Sequence, residues 1–221
     1  LENRSKNKVA YIHGRPTGHP IHDAYAKALN AEFVPVDFIL QWHENPNSPK
    51  IKRYFSWLFC ALLFPKRKHF SIFFTESIRE PILIMKLLGL MNSRQKLIPL
   101  MDNETLFFYH NNKYSKIVMW MIKKYLEKSD AIICVGNFQT ELAKQILDTS
   151  HLSKIKTVNN WVFKQKSELL SKIDPDLNSN KILFIGDVSA DFRAWYKGVD
   201  LMINAFAIAA KQNNDIILEM I

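Results

Sequence analysis

The sequence predicts an α/β protein whose strands are parallel and whose helices cross over between them. Short apolar runs suited to buried strands alternate along the chain with longer segments of helical period. Each strand-like run leads through a polar or glycine-containing loop into a helix, the order of a repeated strand–helix–strand unit. The stretch Lys181 to Phe206 gives the pattern most plainly. Ile182-Leu183-Phe184-Ile185 ends on Gly186, a polar loop runs to Tyr196, and Lys197-Gly198 opens a helix with Val199, Leu201, Met202, Ala205 and Phe206 at apolar positions.

Residues 1–7 are polar and read as a disordered tail. Lys8 to His13 is the first strand. The loop Gly14-Arg15-Pro16-Thr17-Gly18-His19-Pro20 follows, dense in turn residues. Pro20 suits the first turn of a helix, where its missing N–H costs nothing, and the helix runs to about Asn30. Phe33 to Phe38 is a second strand, placed at a sheet edge by Pro35. Ile51 to Phe64 reads as a strongly apolar helix, and Phe70 to Phe74 as the third strand, ending at Thr75-Glu76-Ser77. Pro81 to Leu90 is a helix and Lys96 to Met101 the fourth strand, leading to Asp102. Lys116 to Glu127 is a long helix, Asp130 to Val135 the fifth strand, and Gly136 turns into a helix ending near Leu147. Thr157-Val158 marks a short sixth strand. Residues 161–180 are polar, with Asp174-Pro175-Asp176 and a short helical segment at Ser167 to Ile173, and read as an interdomain linker. Asp215 to Ile221 begins one more strand.

These pieces define two parts. Residues 8–160 form a Rossmann-like parallel sheet with helices on its faces. Residues 181–221 form the first strand–helix–strand unit of a second such domain, which cannot bury a sheet alone and is expected to be incomplete.

Composition narrows the class. The 221 residues are 48% hydrophobic and 23% charged, a globular balance that excludes wholesale disorder. The net charge of +9 suits an anionic partner: nucleic acid, a membrane face or a phosphorylated small molecule. Two cysteines, Cys60 and Cys134, both in apolar runs, give neither a disulfide framework nor metal-ligand spacing, and read as buried free thiols. No apolar stretch reaches the roughly 18 residues that would span a bilayer. The start of the chain has no signal-peptide pattern, so a cytoplasmic location is expected.

Four stretches stand out: the glycine loop Gly14 to Gly18, the segment KSDAIICVGNFQTELAKQIL (Lys128 to Leu147), Thr157 to Asn160, and FIGDVSADFRAWYKGVDLMINAF. Together they resemble the family-4 retaining glycosyltransferases of the GT-B fold, whose chain crosses between domains at the third. The last is the most specific, with Gly186, Lys197, Gly198, Asp200, Leu201, Ala205 and Phe206 in the family's order. The resemblance implies two Rossmann-like domains, an N-terminal one for the acceptor and a C-terminal one for a nucleotide-sugar donor. It implies hexosyl transfer with retention to a glycan or lipid-linked acceptor, as in polysaccharide biosynthesis. The nucleotide sugar would be a co-substrate, with no resident cofactor and no metal. Two departures stand out: Asp187 occupies the position of the family's arginine after the strand glycine, and Met101 the position of a histidine beside Asp102. The family's paired donor-site glutamates have no counterpart here, so this chain is expected to have little activity alone.

On that resemblance, Gly186, Arg193 and Lys197 are the candidate donor-diphosphate residues. A helix N-terminus offers unpaired N–H groups and a positive dipole end to a phosphate, and the two side chains add full charges. Gly14, Gly18, His19 and His22 are the candidate acceptor-side loop residues, with His13 and Asp23 nearby, and Asp102 is the candidate catalytic residue. The plain alternatives stay open: Lys197 and Arg193 as solvated surface residues, His22 and Asp23 as helix-capping or solvent-facing, and Asp102, Glu104 and Glu76 as groups that cap turns.

The Ile51 to Phe64 helix has two readings. Lys50, Lys52 and Arg53 precede its apolar body, and Lys66, Arg67 and Lys68 follow it, which suits peripheral attachment to an anionic membrane at the inner face. A helix apolar on most sides is more simply one packed on the sheet. Two other functions compete with transfer. One is a nucleotide-binding Rossmann oxidoreductase, weakened because Gly14-x-x-x-Gly18 lacks the dinucleotide spacing. The other is a nonenzymatic basic binding module. No nucleic-acid motif is present and the aromatics sit in apolar runs, so nucleic acid is not an expected partner.

Overall fold

The computed structural model describes residues 8–13, 20–35, 49–64, 67–102, 104–159, 168, 171–172, 174, 179–185 and 197–220. The chain divides into two compact units, Leu1–Trp161 and Val162–Ile221.

The first unit is a Rossmann-like α/β fold. Its strands are β1 (Val9–His13), β2 (Glu32–Pro35), β3 (Ile72–Glu76), β4 (Lys96–Met101), β5 (Ile132–Val135) and β6 (Ile155–Val158). They form one sheet in the order β2-β1-β3-β4-β5-β6, parallel at every junction. β2 is one of the two edge strands, a position where proline is tolerated, as at Pro35. The helices are α1 (Pro20–Ala28), α2 (Lys50–Leu62), α3 (Glu80–Leu87), α4 (Thr105–His110), α5 (Lys116–Lys128) and α6 (Gly136–Ile146). Short 3₁₀ turns at Arg67–His69 and Thr149–Lys154 lead into β3 and β6.

Alternation along β1 sets the two faces of the sheet. Ala10 and Ile12 enter the larger core with Phe73, Leu97, Ile82, Met85, Tyr125 and Leu126. Tyr11 points to the other face, where it stacks on Phe33 at 6.2 Å and Phe74 at 5.6 Å between ring centroids, beside Ala26 of α1. A parallel sheet covered on both faces needs apolar residues at successive positions, which is why its strands read as continuous runs. Phe73 is fully buried against Phe64 and Phe70. Phe73→Ala would leave a cavity costing about 3–5 kcal/mol.

Local rules account for the helix starts. Ser115 caps α5 by accepting from the Val118 N–H, and Pro81 sits in the first turn of α3. Gly136, at φ +84°, lets β5 turn directly into α6 with no intervening loop. Helix α4 is not anticipated by the sequence pattern, since six residues give less than two turns of period.

The burial expected for the apolar helix α2 is found on one side only. Ser56, Cys60 and Ala61 are buried, whereas Ile51, Phe55, Phe59 and Leu62 are exposed. Cys60 and Cys134 are free and buried. Burial pushes the Cys134 thiol up to about 11, which keeps it protonated and unreactive.

The second unit contains β7 (Lys181–Phe184), α7 (Val199–Ala210) and β8 (Ile217–Met220). β7 and β8 pair in parallel, Lys181 opposite Ile217, and the Lys181 ammonium lies 3.1 Å from the Glu219 carboxylate. None of the α7 residues is buried, and Leu201 and Ile208 are 71% and 62% exposed. The segment Ser167 to Ile173 falls mostly outside the described residues. Among the described residues no helix is long and apolar enough to cross a membrane.

Candidate functional site

The strand order reverses around β1, with β2 on one side and β3 on the other. In open α/β sheets ligands bind at the carboxyl ends of the strands flanking such a reversal. Here those ends carry His13 and Glu76, each the last residue of its strand. The His13 Nε2 lies 3.4 Å from a Glu76 carboxylate oxygen, and both side chains are mostly buried. The His13 ring leans on Phe33 at 5.9 Å between centroids. Arg79, from the turn before α3, donates to the same Glu76 oxygen.

Asp102 follows the last residue of β4, one strand further along. Burial is the main reason its carboxyl is pushed up to about 6, and the nearby Glu76 carboxylate adds to the effect. The Arg79 guanidinium opposes it without cancelling it. Among the described residues, the Asp102 Oδ1 and Arg79 Nε are buried atoms with no hydrogen-bond partner. Such atoms are rare in folded proteins, because leaving one unsatisfied costs about 1–3 kcal/mol. An acceptor and a donor left open in the same corner define what would complete them: a group that donates to one and accepts from the other.

The turn that carries Glu76 is held from behind. Thr75 Oγ1 donates to the Ser77 carbonyl at 2.9 Å, and Ser77 Oγ pairs with Thr105 Oγ1 at 3.0 Å. The Ser77 N–H donates to the Leu100 carbonyl at 2.8 Å, clamping the end of β3 to β4. Ser77 sits at φ +56°, a left-handed conformation that a non-glycine residue adopts only under constraint.

The residues singled out in the sequence fall out unevenly. Gly14, Gly18 and His19, and Gly186 and Arg193, lie outside the described residues. His22 lies in α1, its side chain not described, and Asp23 in the same turn is exposed to solvent. Lys197 is exposed and immediately precedes Gly198, which caps the N-terminus of α7 at φ +69°. Asp102 is in the corner with His13 and Glu76. Arg79, Thr75 and Ser77 belong to the same corner and carry no sequence signal beyond polarity after a strand. Among the described residues no group of three His, Cys, Asp or Glu side chains is placed to hold a metal ion.

The fold and the position of this corner define a Rossmann-like α/β protein with a polar site at its strand-order reversal. The chain matches no protein-family model and no curated protein sequence.

Proposed function

We propose that the protein is a retaining glycosyltransferase of the GT-B type, moving a sugar from a nucleotide-sugar donor to a glycan or lipid-linked acceptor. The observation that carries this is the open pair in the corner, the Asp102 Oδ1 and the Arg79 Nε. A sugar hydroxyl donates one hydrogen bond and accepts others, so it has the chemistry to complete either atom. Above about pH 6 Asp102 is ionised and can accept that hydroxyl's hydrogen bond or its proton. Glu76 pairs with Arg79 and lies beside His13, which holds the guanidinium in the corner and supports a polar ligand there.

The departing group in such a transfer is a nucleoside diphosphate, which leaves with the electrons of the broken glycosidic bond. Lys197 beside the N-terminus of α7 supports the reading that the second unit meets that diphosphate. Arg193 and Gly186 belong to the same proposal, as do Gly14, Gly18, His19 and His22 on the acceptor side.

The test is a screen on the complete gene product. Melting temperature is measured with uridine, guanosine and adenosine diphosphate sugars and with NAD, followed by transfer assays on Asp102→Asn and Lys197→Ala. A nucleotide sugar raises Tm, Asp102→Asn keeps that rise while turnover falls at least about 100-fold, and Lys197→Ala weakens donor use. A response to NAD alone, or to no nucleotide sugar, overturns the reading.

A further inference from the structure

We infer that the outer face of α2 docks on an anionic bilayer, with the helix lying in the headgroup plane. The inference is independent of the transfer reading. At 100° per residue Ile51, Phe55, Phe59 and Leu62 share an arc of about 80°. All four are exposed, by 60%, 50%, 45% and 46%. Ser56, Cys60 and Ala61 lie on the opposite side, buried against the core. An ordinary surface helix turns its polar side outward, and α2 does the reverse while staying anchored by its inner side.

Charge decides what covers this stripe. From Lys50 to Lys68 the chain carries Lys50, Lys52, Arg53, Lys66, Arg67 and Lys68 and no acidic residue. In the sequence, cations therefore flank the apolar residues on both sides. Lys52, which is exposed, falls at the edge of the stripe, where its stem can lie along apolar surface. Lys68, beyond the other end, is also exposed. This is the composition of an interfacial helix: aromatic and aliphatic residues toward the acyl boundary, cations toward anionic headgroups. The 13 residues of α2 are about 20 Å long, too short for the roughly 30 Å hydrocarbon core, so the helix lies on the surface and does not cross it. A second copy would bring the same cations against themselves across a twofold contact.

The test is flotation of the full chain with phosphatidylcholine vesicles, with and without phosphatidylglycerol. The chain floats with the mixed vesicles only, and added salt weakens the binding. Phe55→Ser combined with Phe59→Ser reduces binding at least about tenfold and leaves Tm nearly unchanged, since both side chains are half exposed. Lys52→Glu with Lys68→Glu reduces it as well. Failure to float with the mixed vesicles overturns the proposal, as does equal binding by the serine variant. A dimer in size-exclusion chromatography that the serine variant splits, with no vesicle binding, assigns the face to a second copy and also overturns it.

Discussion

The phenol of Tyr125, wholly buried in α5, donates to Thr75 Oγ1 at 2.9 Å, and the Thr75 hydroxyl in turn donates to the Ser77 carbonyl. One hydrogen-bond chain thus links the last turn of α5 to the turn that presents Glu76. Burial raises the Tyr125 phenol well above its ordinary range, so it remains a donor at every working pH. Tyr125→Phe should lower stability by about 1 kcal/mol in urea unfolding. On the proposed function it should also reduce turnover while leaving donor affinity unchanged, because the hydrogen-bond chain braces the corner of the first unit.

Ser77 tests how much strain the corner holds. Ser77→Ala keeps the left-handed backbone and loses the bond to Thr105, at a cost of about 1 kcal/mol. Ser77→Gly loses the same bond but relieves the backbone, so it should be nearly neutral. Urea midpoints for the two variants should fall in that order. Equal midpoints would show that the φ of Ser77 carries no cost.

Asp102 predicts a pH dependence of definite sign. Its folded pKa is raised to about 6 from the usual carboxylate value near 4. The native state therefore binds the proton more tightly than the unfolded chain, and this group removes stability as pH rises from about 4 to 6. Asp102→Asn should raise stability above pH 6 by up to about 3 kcal/mol and change little below pH 4. Thermal melts across pH 3.5 to about 8 measure this. A uniform effect at every pH would remove the proposed burial of charge.

Asp130 predicts the opposite slope. Burial alone would raise its carboxyl, but the Leu97 N–H at 2.9 Å and Lys96 and Lys86, each at 3.1 Å, hold it below the ordinary value. Its contribution is present above the unfolded carboxylate pKa and is lost as pH falls through the lowered native one. Asp130→Asn should cost about 1 kcal/mol at neutral pH, discounted for the partial exposure of the ion pairs. The cost should disappear in acid melts.

The sheet was legible because buried parallel strands must be apolar at successive positions; β4 at Lys96–Met101 matches the expected span residue for residue. The corner was legible where a polar residue ends or directly follows a strand, as His13, Glu76 and Asp102 do. Arg79 and Tyr125 were not, since neither motif nor periodicity marks them. Tyr125 reaches Thr75 across 50 positions of chain, and only the packing of α5 on the sheet brings the two together. The sequence left the outward face of α2 open between two readings for a related reason. Hydrophobicity tells that a residue prefers to leave water, and does not tell whether the protein itself provides the cover.

The interior position of β1 also constrains the order in which the molecule can be assembled. Val9 lies opposite Ile72, so during synthesis β1 waits for about sixty further residues before its second neighbour exists. Until then β1 has only β2 beside it, and Tyr11 lacks Phe74, one of the two rings it stacks on. A nascent chain in that interval exposes a hydrophobic strand edge, so chaperone contact during synthesis should concentrate before β3 emerges and decline once it pairs.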